Sequence, residues 1–142
     1  MKAAHLLALM LVALLSEHAA FAADLVLEVK SSQASGRVNV ALYDSATSFL
    51  RKTVASSGGD LKNGVAILSF PNLAPGNYAI SAYLDANGNN KLDTNSMGIP
   101  SEPYAFSRSA KGRMGPPTFE DAAFAVGSSG TKLTIELSKG RP

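Results

Sequence analysis

Apolar residues fall at every second position in five separate stretches of this chain, a period that suits strands with one buried face. In DLVLEVK, Leu25, Leu27 and Val29 share a side, with Glu28 and Lys30 opposite. In RVNVALYD, Val38, Val40 and Leu42 point one way and Arg37, Asn39 and Tyr43 the other. NYAISAYLD aligns Tyr78, Ile80, Ala82 and Leu84; DAAFAV aligns Ala122, Phe124 and Val126; TKLTIEL aligns Leu133, Ile135 and Leu137. VAILSF, from Val65 to Phe70, is a more continuous apolar run, as a central strand would be. That makes six strands, with a seventh expected near Phe49 to Val54 and a short helical turn at Ala46 to Arg51 as another reading of that region.

Turn residues separate the runs. Ser35-Gly36, Ser57-Gly58-Gly59 and Gly127 to Gly130 punctuate, and Pro75-Gly76 predicts a type II turn with Pro at i+1 and Gly at i+2. No helical period extends over any length, so the expected fold is all-β: one antiparallel sandwich of 6–7 strands and immunoglobulin-like size. A long Pro-rich loop, residues 94–119, interrupts the rhythm with Pro100, Pro103, Pro116 and Pro117. It carries Met97, Ile99, Tyr104, Phe106, Met114 and Phe119, too apolar for a loose linker, and is expected to pack on the sandwich.

The N-terminus reads as a bacterial signal peptide, residues 1–22. Lys2 gives the positive start, Leu6 to Leu15 the apolar run, and Ala20-Phe21-Ala22 the small-x-small cleavage site. The apolar run is about half the roughly 20 residues a spanning helix needs, so no membrane span is expected. The folded domain would be residues 23–142, exported to the periplasm or secreted. Lys2 and Glu17 leave together, so the net charge stays at +2, too weak to point to nucleic acid.

Both histidines, His5 and His18, lie in the leader, and the chain has no Cys. Without them there is no Ser-His or Cys-His nucleophile, no thiol redox chemistry and no soft metal site. The remaining carboxylates, amides and hydroxyls suit a hard cation or no metal at all.

DANGNNKLDTNS, residues 85–96, is where chemistry concentrates. On a twelve-residue calcium loop Asp85, Asn87 and Asn89 fall at positions 1, 3 and 5, Lys91 at 7 through its carbonyl, and Asp93 at 9. Asn90 replaces the sharp-turn Gly, and Ser96 replaces the bidentate Glu at position 12, so Glu102 or Asp121 would have to reach in from outside. Calcium would bind weakly, at about 10⁻⁴ to 10⁻³ M. A polar hairpin turn in which Asx side chains cap their own backbone is the competing reading.

Other candidates lie further on. Arg108, Lys111 and Arg113 could hold an anion or stand as a solvated edge. Tyr104 and Phe106 could stack on a sugar or peptide; alternatively one plugs the core and the other is exposed. Glu120 and Asp121, if on a strand, point to opposite faces, and one of them is expected to bond the long loop's amides or the Arg113 guanidinium.

FPNLAPGNYAISAYLDANGNNKLDTNSMGIPSEPYAFSRSAKGRMGPPTFEDAAF resembles a family of secreted bacterial proteins, the domain of unknown function 2141. The likeness runs through Phe70 to Tyr78, Asp85 to Asp93, Gly98 to Ser107 and Gly115 to Ala122. Phe70 to Tyr78 is also similar to the turn of transthyretin-like and collagen-adhesin B-type sandwiches, which implies the same fold class by analogy. The resemblance brings no activity. A non-enzymatic binding or structural module, with a protein or carbohydrate partner, is the expected function. The alternatives are a carrier with Tyr104, Phe106 and Met114 lining a pocket, and a carboxylate-based hydrolase using Glu102, Glu120 or Asp121.

Overall fold

A computed structural model of the chain describes residues 22–140. The expected signal peptide lies outside the described residues except for its last, Ala22. The strands are β1 (Ala23–Ser31), β2 (Arg37–Tyr43), β3 (Ala55–Asp60), β4 (Val65–Leu73), β5 (Gly76–Asp85), β6 (Tyr104–Phe106), β7 (Phe124–Val126) and β8 (Thr131–Leu137). A single helical turn, α1 (Phe119–Ala122), precedes β7. The eight strands form two sheets, β4-β1-β8 and β3-β2-β5-β6, with β7 pairing with the start of β5.

The alternation is buried as its period requires. Leu25, Leu27 and Val29 of the first sheet meet Val38, Val40, Leu42, Ile80, Ala82 and Leu84 of the second in one core. Full burial of each Leu, Ile or Val stabilises by about 1.5–3 kcal/mol, so these inward rows fix the registers. Pairing is antiparallel throughout except for β1 with β8, which run parallel with Leu27 opposite Leu133 and Val29 opposite Ile135. β4 lies at a sheet edge rather than at the centre, and Ile67 faces solvent with 60% exposure. β1 holds the central place.

Three local readings are corrected. No strand forms at 49–54; Phe49 N donates to Ser45 O (3.0 Å) and Lys52 N to Ser48 O (2.8 Å), giving the helical turn. The next strand is instead β3, ASSGGD, whose Ser57-Gly58-Gly59 looks like turn punctuation. Here the glycine serves close packing: a Cβ on Gly59 would stand 2.8 Å from Leu68 Cδ2, where β3 packs against β4 across the sandwich.

Pro75-Gly76 is not a type II turn. Gly76 has no positive φ; it opens β5 opposite Val126, where the chain crosses between sheets. The crossing is pinned by the Tyr78 hydroxyl, which donates to Ala74 O at 2.6 Å, as in the tyrosine corner of other sandwiches.

The long connection is ordered, and it is not strandless. Pro103 O accepts from Leu84 N (2.8 Å), and β6 then joins the edge of β5 with Tyr104 opposite Tyr83 and Phe106 opposite Ser81. Beyond it Phe106 and Phe119 pack on Tyr43, Phe49, Ala79 and Ala122, a second small core on the outer face of the second sheet.

Candidate functional site

Asp85 ends β5 and is 4% exposed. Its Oδ1 accepts from the backbone nitrogens of Gly88 (2.9 Å) and Asn89 (3.2 Å), and its Oδ2 from Asn90 (2.8 Å). Asn87 Oδ1 accepts from Asn89 N (3.2 Å), and Asn89 Oδ1 from Lys91 N (3.0 Å). The alternating Asx residues thus wind the chain by bonding successive amides. Asn90 takes the tight left-handed step at φ +58°, as its place in the pattern requires. Asp93 closes the loop, accepting from Asn87 Nδ2 (2.6 Å) and from Asn89 Nδ2 (2.8 and 3.0 Å).

A second carboxylate reaches in from outside, and it is Glu102. It is 6% exposed; Oε1 accepts from Ala86 N (3.0 Å) and Oε2 from Asp93 N (3.0 Å). Charge-assisted bonds of this kind are roughly twice as strong as neutral ones. Asp121 stays exposed on α1. Among the described residues no three acidic side chains gather closely enough to hold a metal by themselves, so a cation here would need amide and carbonyl oxygens as well. Lys91 is exposed, leaving only its backbone for that purpose.

Tyr83, beside the loop, is held above its ordinary pKa, first by burial and then by the charges of Asp85, Glu102 and Asp93, with Asn39 opposing. Tyr104 and Phe106 are both half-buried on the outer face, because residues two apart on a strand share a side. Their rings meet edge to face at 6.1 Å, and Phe106 leans on Phe49 at 6.2 Å. The expected split into one plug and one exposed ring does not occur.

Glu120 and Asp121 lie on α1, not on a strand. Thr118 caps that turn, its hydroxyl accepting from Asp121 N at 3.2 Å. Both side chains are exposed, and among the described residues neither carboxylate holds a loop amide or Arg113. Arg108 donates to Ala123 O at 3.2 Å from a left-handed backbone position, and Arg113 is exposed. Met114 is fully exposed at the tip of the same segment.

The lock on this segment is Ser107, which sequence reasoning passed over. It is wholly buried; its Oγ accepts from Ile80 N (2.9 Å) and donates to Ala122 O (2.5 Å), tying β5 to α1. Its place at the end of Tyr-x-Phe-Ser was the available signal, since a hydroxyl after two half-buried aromatics is well placed to go inward.

Fold and site together define a small two-sheet β protein whose long connection is fastened by buried carboxylates and a buried hydroxyl. Residues 27–134 match the family model described as an uncharacterized protein conserved in bacteria (DUF2141), and the chain belongs to that family. No curated protein and no solved structure matches it.

Proposed function

We propose that the protein is exported to the periplasm or beyond, loses residues 1–22, and works as a non-enzymatic binding or structural module with a weak calcium site in its Asp/Asn loop. One observation carries this: Asp85 and Glu102, the buried carboxylates, spend all four oxygens on backbone amides of the 85–93 loop. They act as staples for a presented surface, not as an acid and a base. Glu120 and Asp121, either of which would partner Glu102 in a hydrolase, both stand in solvent. The carrier reading has less support, because Met114 is fully exposed while Tyr104 and Phe106 turn their rings on each other. Export rests on the sequence alone: Lys2, the apolar run Leu6 to Leu15 and Ala20-Phe21-Ala22.

Calcium fits the donor set. Asp85, Asn87 and Asn89 offer oxygens at alternate positions: Asp85 Oδ2, Asn87 Oδ1 and Asn89 Oδ1 each accept one backbone N–H and keep a further lone pair, whereas Asp85 Oδ1 accepts two. With two carboxylates in the loop the affinity stays near about 10⁻⁴ to 10⁻³ M. Millimolar calcium should raise the melting temperature, and Asp85→Ala should abolish the rise. If calcium changes neither melting nor calorimetric heat, the metal is withdrawn. Turnover by purified protein that Glu102→Gln removes would overturn the non-enzymatic reading.

A further inference from the structure

A bare strand edge pairs readily with another strand, and folded proteins guard it with proline, charge, shortness or a cover. Among the described residues, three of the four sheet edges are guarded in this way. β4 carries Pro71, which has no N–H to give, and Val65 is bonded in both directions to Lys62 (2.9 and 3.1 Å). β8 shows Lys132 and Glu136 to solvent, and just past its end Ser138 is tied to Tyr104 (3.0 and 3.2 Å). β6 is only three residues long. β3 is different: six residues, ASSGGD, with neither Pro nor Lys. Its single charge, Asp60, stands at the very end, 3.7 Å from Arg37.

The ladder fixes which backbone groups of β3 look outward. Leu61 N donates to Gly36 O at 2.8 Å, one step beyond the Asp60–Arg37 pair, so Leu61 turns toward β2. From the other side, Leu84 N is used by Pro103 O (2.8 Å), which leaves Val38, opposite Leu84, to bond Gly59 of β3. Antiparallel partners bond at every second residue. Ala55, Ser57 and Gly59 therefore spend their backbone on β2, while Ser56, Gly58 and Asp60 aim N–H and C=O outward. No described residue meets those outward groups. The same three side-chain positions lie on the outer face, opposite Ala41, Asn39 and Arg37.

We propose that β3 pairs antiparallel with β3 of a second copy of this chain, about a two-fold axis at Gly58. That centre alone satisfies every outward group: Gly58 meets Gly58, and Ser56 of each copy falls opposite Asp60 of the other. A centre at Ser57 or Gly59 pushes Asp60 or Ser56 past the end of the facing strand. Opposed side chains on one face have Cβ atoms about 4.5–5.5 Å apart, so each Ser56 hydroxyl can donate to the facing Asp60 carboxylate. Gly58, where a Cβ would stand 3.0 Å from Arg37 Nη2, brings no side chain to collide at the axis. A foreign strand would gain backbone bonds from this Ser/Gly edge but no pockets, whereas a second copy brings the matching serine and aspartate. Pairing makes one sheet run through both copies. So short a contact is weak, with a dissociation constant of about 0.1 mM.

The test is a dilution series of the purified protein from about 1 mM to about 10 µM, read by sedimentation velocity and nitrogen-15 NMR. The sedimenting mass should double toward the concentrated end. There the Ser56, Gly58 and Asp60 amides should shift saturably and exchange about fivefold more slowly, while Ser57 and Gly59, already bonded to β2, hold steady. Ser56→Asp sets two carboxylates face to face and should weaken the dimer about tenfold or more. The swap Ser56→Asp with Asp60→Ser restores the opposition and should bring affinity back to within about threefold. Ser56→Pro removes an N–H that β2 does not use, so it should abolish the dimer while melting of the dilute protein stays put. A monomer at about 1 mM overturns the proposal and leaves the edge to water or a foreign strand. A dimer that leaves the three outward amides unmoved, or a swap that restores nothing, overturns it as well. The binding-module reading stands or falls separately, since it needs no second copy.

Discussion

Glu102 Oε2 lies 3.0 Å from the backbone nitrogen of Asp93, nine residues back along the chain, while Oε1 holds Ala86 N at the same distance. One buried side chain therefore clamps both ends of the Asp/Asn loop. Glu102→Gln keeps the shape but turns an NH₂ toward one of two amide donors. A loss of about 2 kcal/mol is expected, the usual cost of an orphaned buried donor. Hydrogen exchange should localise it: the Ala86 and Asp93 amides should exchange about tenfold faster or more, with core strand amides little changed. Uniform acceleration across β1 and β2 would show that the clamp supports the whole fold instead.

Ser107→Ala should cost more. It strands Ile80 N and Ala122 O together inside the protein, and two such groups sum to about 2–6 kcal/mol. Denaturant unfolding measures it, with exposed Ser109→Ala as the near-neutral control.

How much of this could be read from the sequence depended on how much each strand alternates. β1, β2, β5 and β8 bury the residues their period assigns, because one wet face and one dry face leave a readable pattern. β3 was missed because its closeness to β4 demands serine and glycine, residues that normally mark turns. β6 was missed because three residues between prolines carry no period, and only pairing with β5 makes them a strand. In the site, the Asx winding and the left-handed Asn90 were legible, since both follow from local backbone bonding. The choice of Glu102 over Asp121 was not, because it depends on where β6 brings the chain back. Ser107 was invisible for the same reason: its partners lie 27 and 15 residues away.

Buried Tyr78 and half-buried Tyr83 give the protein an alkaline limit. Tyr78 is raised above its ordinary pKa by burial first and then by Asp44; Tyr83 by burial first, with Asp85, Glu102 and Asp93 adding to it. A phenol whose folded pKa lies above the unfolded value of about 10 contributes stability that is complete below pH 10. That contribution is lost as pH rises through the folded pKa. Melting temperature should therefore hold to about pH 9.5 and fall beyond it, together with delayed tyrosinate absorbance at 295 nm for these two residues. Tyr83→Phe should flatten the fall. An unchanged slope in that variant would assign the alkaline loss to Tyr78 instead.

Phe49 decides whether the long connection and the sandwich unfold as one. Its ring meets Tyr43 at 5.3 Å and Phe119 at 6.0 Å, both edge to face, with Phe106 at 6.2 Å. Three elements far apart in the chain thus converge on one side chain outside the main core. Phe49→Ala should cost about 3 kcal/mol, toward the lower end for a deleted core aromatic, because the cluster is near the surface and can partly collapse. Phe49→Leu, which keeps most of the volume and loses the ring geometry, should cost about 1 kcal/mol. The loss should appear where the cluster acts: near-UV dichroism should fade at lower denaturant than the far-UV strand signal, since Leu25, Leu27 and Ile80 keep their own partners. Coincident transitions in Phe49→Ala would mean that Ser107 alone couples α1 to β5 strongly enough to hold the outer cluster to the sandwich.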